Sequence, residues 1–492
     1  MRSRLRLHVL VLAGILLAGC PDKKPSGSTP PDEDVPAPAD VLDVVDIVDV
    51  EPELELPPVD TEEPFEIGYL HPVSPVEAED LDPAEGVVEV ALTAAAIQLE
   101  TPDGLLDGYA FNGQVPGPTI RAKKGDTLRV TLTNHLLTPT TIHWHGIRVP
   151  WAMDGITWQQ DPVAPNDSFV YEFPLDQAGT FWFHPHFDSH SQVDLGLQAA
   201  LIVEDPADPK PDHEAVLIFD GFGEKEHSEI DEEHVHSHAR TLIKDWVING
   251  AVRSELKFPA GSTVRVRMFN TSNAGYLDLR WPSMRQLGED QGLLSALRTP
   301  ERILLAPGDR ADVEWLIGDE PFTVKNHPYS LQGGEAYADV QDLFQVVPVG
   351  EGAAPAGLAW PFPGGEPTPD PGHADVVYVF AGSDHTGKWL MNGEVYPEIT
   401  VAEIPANQAF VMEVRNVSPT EHPFHLHGVF FEVLSVNGVA PEYRRIEDTI
   451  NLAIQDTIRL GVVADNPGDW MAHCHILPHA HGGMMTVIRF LE

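Results

Sequence analysis

One motif recurs three times in this 492-residue chain and constrains its fold more than any other feature: an apolar residue, Asn-Gly, then an alternating strand ending in Asn. The copies open at Phe111-Asn112-Gly113, Ile248-Asn249-Gly250 and Met391-Asn392-Gly393, and their strands end at Asn134, Asn270 and Asn416. They stand much further apart than the roughly 20–50 residues of solenoid repeats, so each marks a domain of ordinary size. In the first copy Leu128, Val130 and Leu132 alternate with Arg129, Thr131 and Thr133, the pattern of a sheet with one buried and one wet face. Asn-Gly turns between short strands favour an antiparallel sandwich. The 45 Pro and 40 Gly suit many such turns, and no long helical periodicity stands out. The expected fold class is all-β, with three sandwich domains over 67–210, 211–370 and 371–492.

Four histidine clusters lie in the outer two domains: His143-Trp144-His145, His184-Pro185-His186, His422-Pro423-Phe424-His425-Leu426-His427 and His473-Cys474-His475, with His479 and Met484 following. Side chains repeat every two residues in a strand, so His-x-His places both imidazoles on one face. Four such pairs supply eight imidazoles. His422, Cys474, His479 and Met484 remain as a separate set, and one thiolate with two imidazoles and a weak thioether is the ligand set of a blue electron-transfer copper. A single His-x-His is usually a solvated strand pair, but four of them with an interleaved Cys make a coordination set. Because Cys474 lies between His473 and His475, the two sites are joined through a few covalent bonds. The middle copy has Gly275-Tyr276-Leu277-Asp278-Leu279 where the outer copies have His-x-His, so it offers no ligands there. Asp176 and Gly179 precede His184 with the offsets by which Asp465 and Gly468 precede His473, which makes the outer domains close structural partners.

From about residue 85 to 492 the chain resembles the multicopper oxidases, the family of laccases, bilirubin oxidases, spore-coat laccases and copper-efflux oxidases. The resemblance implies three cupredoxin-like Greek-key sandwiches holding four copper ions. It implies that His143 and His425 hold a type 2 copper, and that His145, His184, His186, His427, His473 and His475 hold a type 3 pair. His422, Cys474, His479 and axial Met484 would hold the type 1 copper, with Met485 a competing candidate. Asp154 stands eleven positions after His143, where bacterial members that this stretch resembles carry an Asp assisting proton delivery. The carboxylates that several bacterial relatives carry around the last type 1 histidine are missing, since the neighbours here are Pro478, Ala480 and His481. With nine Met in the chain, the methionine lid of copper-efflux oxidases has no counterpart.

The amino terminus carries an address. Arg2, Arg4 and Arg6 precede an apolar run from Val9 to Leu17 that ends in Leu17-Ala18-Gly19-Cys20, which looks like a bacterial lipoprotein cleavage box over 1–20. That run is shorter than the roughly 20 residues of a spanning helix, so acyl chains on Cys20 would provide the membrane anchor, with a location in the periplasm or at the cell surface. Residues 21–66, rich in Pro, Asp, Glu and Val, read as a disordered acidic tether. Cys20 and Cys474 are the only cysteines, so a lipidated chain has no intramolecular disulfide. A formal net charge of -46 excludes nucleic acid as a natural partner and favours neutral or cationic substrates. His227, His234, His236 and His238 sit among acidic residues as a solvated loop or a copper-collecting tract.

The expected activity couples four one-electron oxidations to reduction of dioxygen to water, with electrons entering through solvent-facing His479 or His422 and passing through Cys474 while Asp154 helps to supply protons. Phenols and aromatic amines are the first substrate class expected. Oxidation of Cu(I), Mn(II) or Fe(II) is the second, and a copper-storing surface lipoprotein is a more distant alternative.

Overall fold

The computed structural model describes residues 74–492 apart from 102–103, 222–245, 334–338 and 384–387. The leader with Cys20, the acidic stretch 21–66 and the His227–His238 group lie outside the described residues.

The chain folds into three β-sandwiches. In the first, one sheet has the order Gly104–Phe111, Val87–Thr101, Thr127–Asn134, Ser168–Pro174, and the facing sheet the order Ile120–Lys123, Ala199–Glu204, Gly179–His184, His143–His145. The third repeats this plan: Lys388–Met391, Val376–Ser383, Ala409–Asn416 and Thr457–Val463 lie against Ala402–Ile404, Met485–Phe490, Gly468–Cys474 and His422–Leu426. The middle sandwich has a six-stranded and a five-stranded sheet, from His213–Gly221 to Gln341–Val349. Each sandwich closes on its own apolar core, with Leu128, Val130 and Phe181 in the first, Val266, Trp315 and Val346 in the second, and Phe424, Leu460 and Trp470 in the third.

The repeated asparagines explain the repeat. Asn112, Asn249 and Asn392 all take positive φ, at 53°, 53° and 57°, which Asn tolerates better than most side chains. Each then ties its turn to the neighbouring strand: Asn112 Oδ1 accepts from Thr93 N at 2.7 Å, Asn249 Oδ1 from Ile218 N at 2.9 Å, and Asn392 Oδ1 from Val379 N at 2.7 Å. Asn134, Asn270 and Asn416, each buried at a strand end, donate both to a carbonyl of the following loop and to a later segment, as in Asn134 to Thr138 O and Val163 O at 2.9 and 2.8 Å. Buried amides thus hold the loop that leads into each outer histidine strand.

The alternation expected in Thr127–Asn134 is present, with Leu128, Val130 and Leu132 buried and the intervening residues half-buried. Its middle counterpart, Thr263–Asn270, is buried on both faces. Arg265 and Arg267 there face an interdomain interface, where they pair with Asp312 at 2.5 and 3.2 Å, while Thr180 of the first sandwich donates to the same carboxylate at 2.6 Å.

Candidate metal centre

Strand register assembles the histidines. His143 pairs across the ladder with His184, and His425 with His473, so one histidine of each His-x-His lies opposite one of the neighbouring strand. The histidine edges of the first and third sandwiches face each other: His145 stacks on His425 with ring centroids 3.9 Å apart, and His143 on His427 at the same distance. Three triads result, His143/His145/His425, His145/His184/His475 and His186/His427/His473, each with one nitrogen per residue within 4.8 Å of the others. A fourth group, His422/Cys474/His479, stands apart with Sγ 3.5 and 3.7 Å from the two Nδ1 atoms. Met484 is fully buried in the same core, and its carbonyl accepts from Cys474 N at 3.1 Å, while Met485 is only half-buried.

The glycines that follow His-x-His are required by this convergence. A Cβ on Gly146, at φ 84°, would lie 2.2 Å from Arg310 and 2.7 Å from Asp448, and one on Gly428, at φ 77°, 2.1 Å from the Trp470 ring.

The imidazoles are held as metal ligands need to be. Nδ1 of His184 donates to Pro185 O at 3.0 Å, Nδ1 of His425 to Asp448 O at 2.9 Å and Nδ1 of His473 to Cys474 O at 2.8 Å, which leaves the Nε2 lone pairs pointing inward. Asp154, 1% exposed, takes Nδ1 of His143 on one oxygen and Nδ1 of His427 on the other, at 3.1 and 3.0 Å, clamping one ring from each outer sandwich. His145 is reversed: its Nε2 meets Asp448 and Thr449 at 3.1 Å. Nε2 of His143, His184, His186 and His425, Nδ1 of His145 and both nitrogens of His475 are buried without a hydrogen-bond partner. Buried nitrogens in such numbers are costly unless something binds them, and a carbonyl or carboxylate on the opposite ring nitrogen is the usual outer support of a metal-bound histidine. The donor set fits copper.

Electrostatics agree. Burial holds His145, His184, His186, His427 and His475 well below the ordinary imidazole value, and His422 and His473 at about 3, so all are neutral and able to coordinate near pH 7. Burial pushes the Cys474 thiol up, so its proton leaves only when a cation replaces it.

Two features were not legible in the sequence. One is Asp448, which links His145 and His425 and is itself gripped by Arg310 of the middle sandwich at 2.8 and 2.5 Å. Burial would raise the Asp448 carboxyl, but Arg310 outweighs it and holds the group well below the carboxylate range. The Arg310 guanidinium, fully buried, also donates to Thr180 O at 3.1 Å, Gly308 O at 3.0 Å and Asp290 O at 3.1 Å, so it touches all three sandwiches. Among the described residues the middle domain places no ligand in the centre, yet it supplies the cation behind it. Arg310→Ala leaves the Asp448 charge buried without its cation, and is expected to destabilise the chain by about 3–5 kcal/mol; urea unfolding within 1 kcal/mol of the parent would refute the role assigned to this contact.

The second corrects an expectation. His422 and His479, expected to face solvent, are 0% and 4% exposed. Trp389 stacks on His479 with centroids 3.8 Å apart and stands edge-on to His422 at 5.4 Å, covering the mononuclear set with an indole. Trp389 gave no metal-like signal in the sequence, because its role arises only from packing.

The profile of the multicopper oxidase family matches residues 95–208 and 368–491, the two sandwiches that carry the histidines. A multicopper oxidase of Mycobacterium tuberculosis is 26% identical over 84% of this chain and 89% of its own length. Laccase-2 of Trametes versicolor is 27% identical, covering 79% and 87%. Among solved structures, a Campylobacter jejuni multicopper oxidase described as a metallo-oxidase superposes with TM-score 0.74 at 25% identity, over 85% of this chain and 94% of that one.

Proposed function

Since this chain belongs to the multicopper oxidase family, a group of copper-dependent oxidoreductases that reduce dioxygen with electrons from small reducing substrates, we propose that it is a laccase-like enzyme whose preferred substrates are phenols and aromatic amines. The carrying observation is the division of the donors into two sets joined at one point. Cys474 belongs to the mononuclear set, and its chain neighbours His473 and His475 belong to the histidine cluster. A storage protein has no use for such a link.

In this reading His422, Cys474, His479 and Met484 hold one type 1 copper. His143 and His425 hold the type 2 copper, and His145, His184, His475, His186, His427 and His473 hold the type 3 pair. Copper bound there supplies one-electron redox change and a place for dioxygen to bind and be reduced. The remaining work belongs to the chain. Cys474 and the peptide units beside it are the electron path. Asp154 fixes His143 and His427 and is the carboxylate proposed to pass protons to the cluster. Asp448 and Arg310 fix His145 and His425 from the opposite side. Trp389 shields the mononuclear set from water, which favours outer-sphere electron uptake from organic reductants over direct contact with a ligand imidazole.

A metallo-oxidase acting on Cu(I), Mn(II) or Fe(II) is the second reading. The formal charge of -46 favours it by concentrating cations at the surface, and the Campylobacter jejuni structure is described as a metallo-oxidase. Steady-state oxygen uptake separates the two readings. Phenols such as dimethoxyphenol are expected to be oxidised without added copper, whereas a specificity constant for Cu(I) or Mn(II) a hundredfold above that for every phenol tested would replace the first reading with the second. The leader and Cys20 further support export and lipid anchoring at the periplasmic or outer surface of a bacterial membrane; metabolic labelling with a radioactive fatty acid, lost in Cys20→Ala, is the check.

A further inference from the structure

We propose that His190 and His481 form an additional, exchangeable copper-binding site at the surface where the first and third sandwiches meet. His190 lies in the short helix Ser189–Asp194 and His481 ends the helix Leu477–His481. Their ring centroids are 4.1 Å apart at an interplanar angle of 37°.

The pairing is built by three domains. Asn273 of the middle sandwich donates from Nδ2 to His190 O at 2.7 Å, and its own carbonyl accepts from Leu477 N at 3.0 Å, so one residue holds both helices in place. Asp188, in the left-handed conformation at φ 45°, sets Oδ1 3.2 Å from His190 Nδ1 and accepts from Ser191 Oγ at 3.1 Å. The Asp188 carboxylate thus sets negative charge beside the ring pair, which favours a bound cation. His190 Nε2 lies 3.3 Å from Ser191 Oγ, a contact that a metal ion would displace. His481 is exposed and His190 half-buried, so an ion can arrive from solvent.

The donors select the ion. Two imidazoles suit copper, nickel and zinc, and Cu(II) binds most tightly of the divalent series. With two protein ligands the remaining positions are open to water, which makes the ion exchangeable rather than resident. The charge of -46 raises the local cation concentration. His481 lies in the same short helix, Leu477–His481, as His479 of the mononuclear set.

The inference goes beyond the oxidase reading and does not depend on it. Copper-loaded, dialysed protein is titrated with Cu(II), following electron paramagnetic resonance and copper per chain by equilibrium dialysis. One further equivalent with the signal of a non-blue copper is expected, with affinity falling at least tenfold in His190→Ala and in His481→Ala. Blue colour and phenol oxidation are expected to be unchanged in both variants, which also shows that they fold. Extra copper bound as tightly by both variants as by the parent, or none bound by the parent, overturns the site. A parent without blue colour or oxygen uptake would strike the oxidase reading instead, while the titration would still report on His190 and His481.

Discussion

Cys474→Ser is expected to remove the intense visible band of a Cu(II)-thiolate and substrate-driven oxygen uptake together, the largest functional loss that one atom of this chain can cause. The Sγ atom is fully buried between His422 and His479, and burial keeps the thiol protonated until a cation takes the proton's place. A serine oxygen is a hard donor that neither matches copper in softness nor carries its charge-transfer band. The substitution nearly conserves volume, so the core around Phe424 and Met484 should persist and the protein should remain folded. His143→Ala is the complement, because it touches the other set: the colour should remain while dioxygen reduction stops. A blue Cys474→Ser protein, or a colourless but active His143→Ala protein, would contradict the division between the two sets.

The copper-free protein should lose stability steeply on acidification, in a window set by its buried imidazoles. His145, His184, His186, His422, His425, His427, His473 and His475 all have folded values below the ordinary one, chiefly through burial. A depressed histidine binds its proton more weakly when folded than when unfolded. Its contribution is therefore complete above about pH 6.5 and is lost as pH falls below that value, at about 1.4 kcal/mol per unit for each group. Four buried carboxylates act in the opposite sense between about pH 7 and 4: Asp220 and Asp290, pushed up to about 7, with Asp309 and Glu447 raised well above their ordinary values. The balance leaves a slope on the order of 5 kcal/mol per pH unit below 6.5 as an upper bound. Urea midpoints of the copper-free protein at pH 7.5, 6.5 and 5.5 read this directly. Equal midpoints at 6.5 and 5.5 would show that the histidine cluster is hydrated or already charged without metal.

Much of the centre could be read from residue order. The strand period alone places His143 with His145 and His425 with His427 on common faces, and the residue left over among the histidines is Cys474. The Asn-Gly turns could be read for a similar reason: the positive φ, 53° at Asn112 and Asn249, is a preference of the Asn-Gly pair itself and needs no distant residue to be recognised. Long-range packing could not be read. Asp448 looks like any polar residue in Ile446-Glu447-Asp448-Thr449, and Arg310 looks like a surface cation in a domain without ligands. They meet across 138 positions of chain, and sequence spacing carries no signal at that separation.

What the sequence by itself determined is therefore the chemistry and the domain type, since ligand identity, the two-residue period and turn preference are properties of short segments. Only the tertiary structure decided how the two histidine edges meet, that Arg310 of the middle sandwich stands behind them, and that Trp389 covers His479. Those facts depend on which surfaces three sandwiches bury against one another, and burial is a property of the whole packed chain rather than of any segment within it.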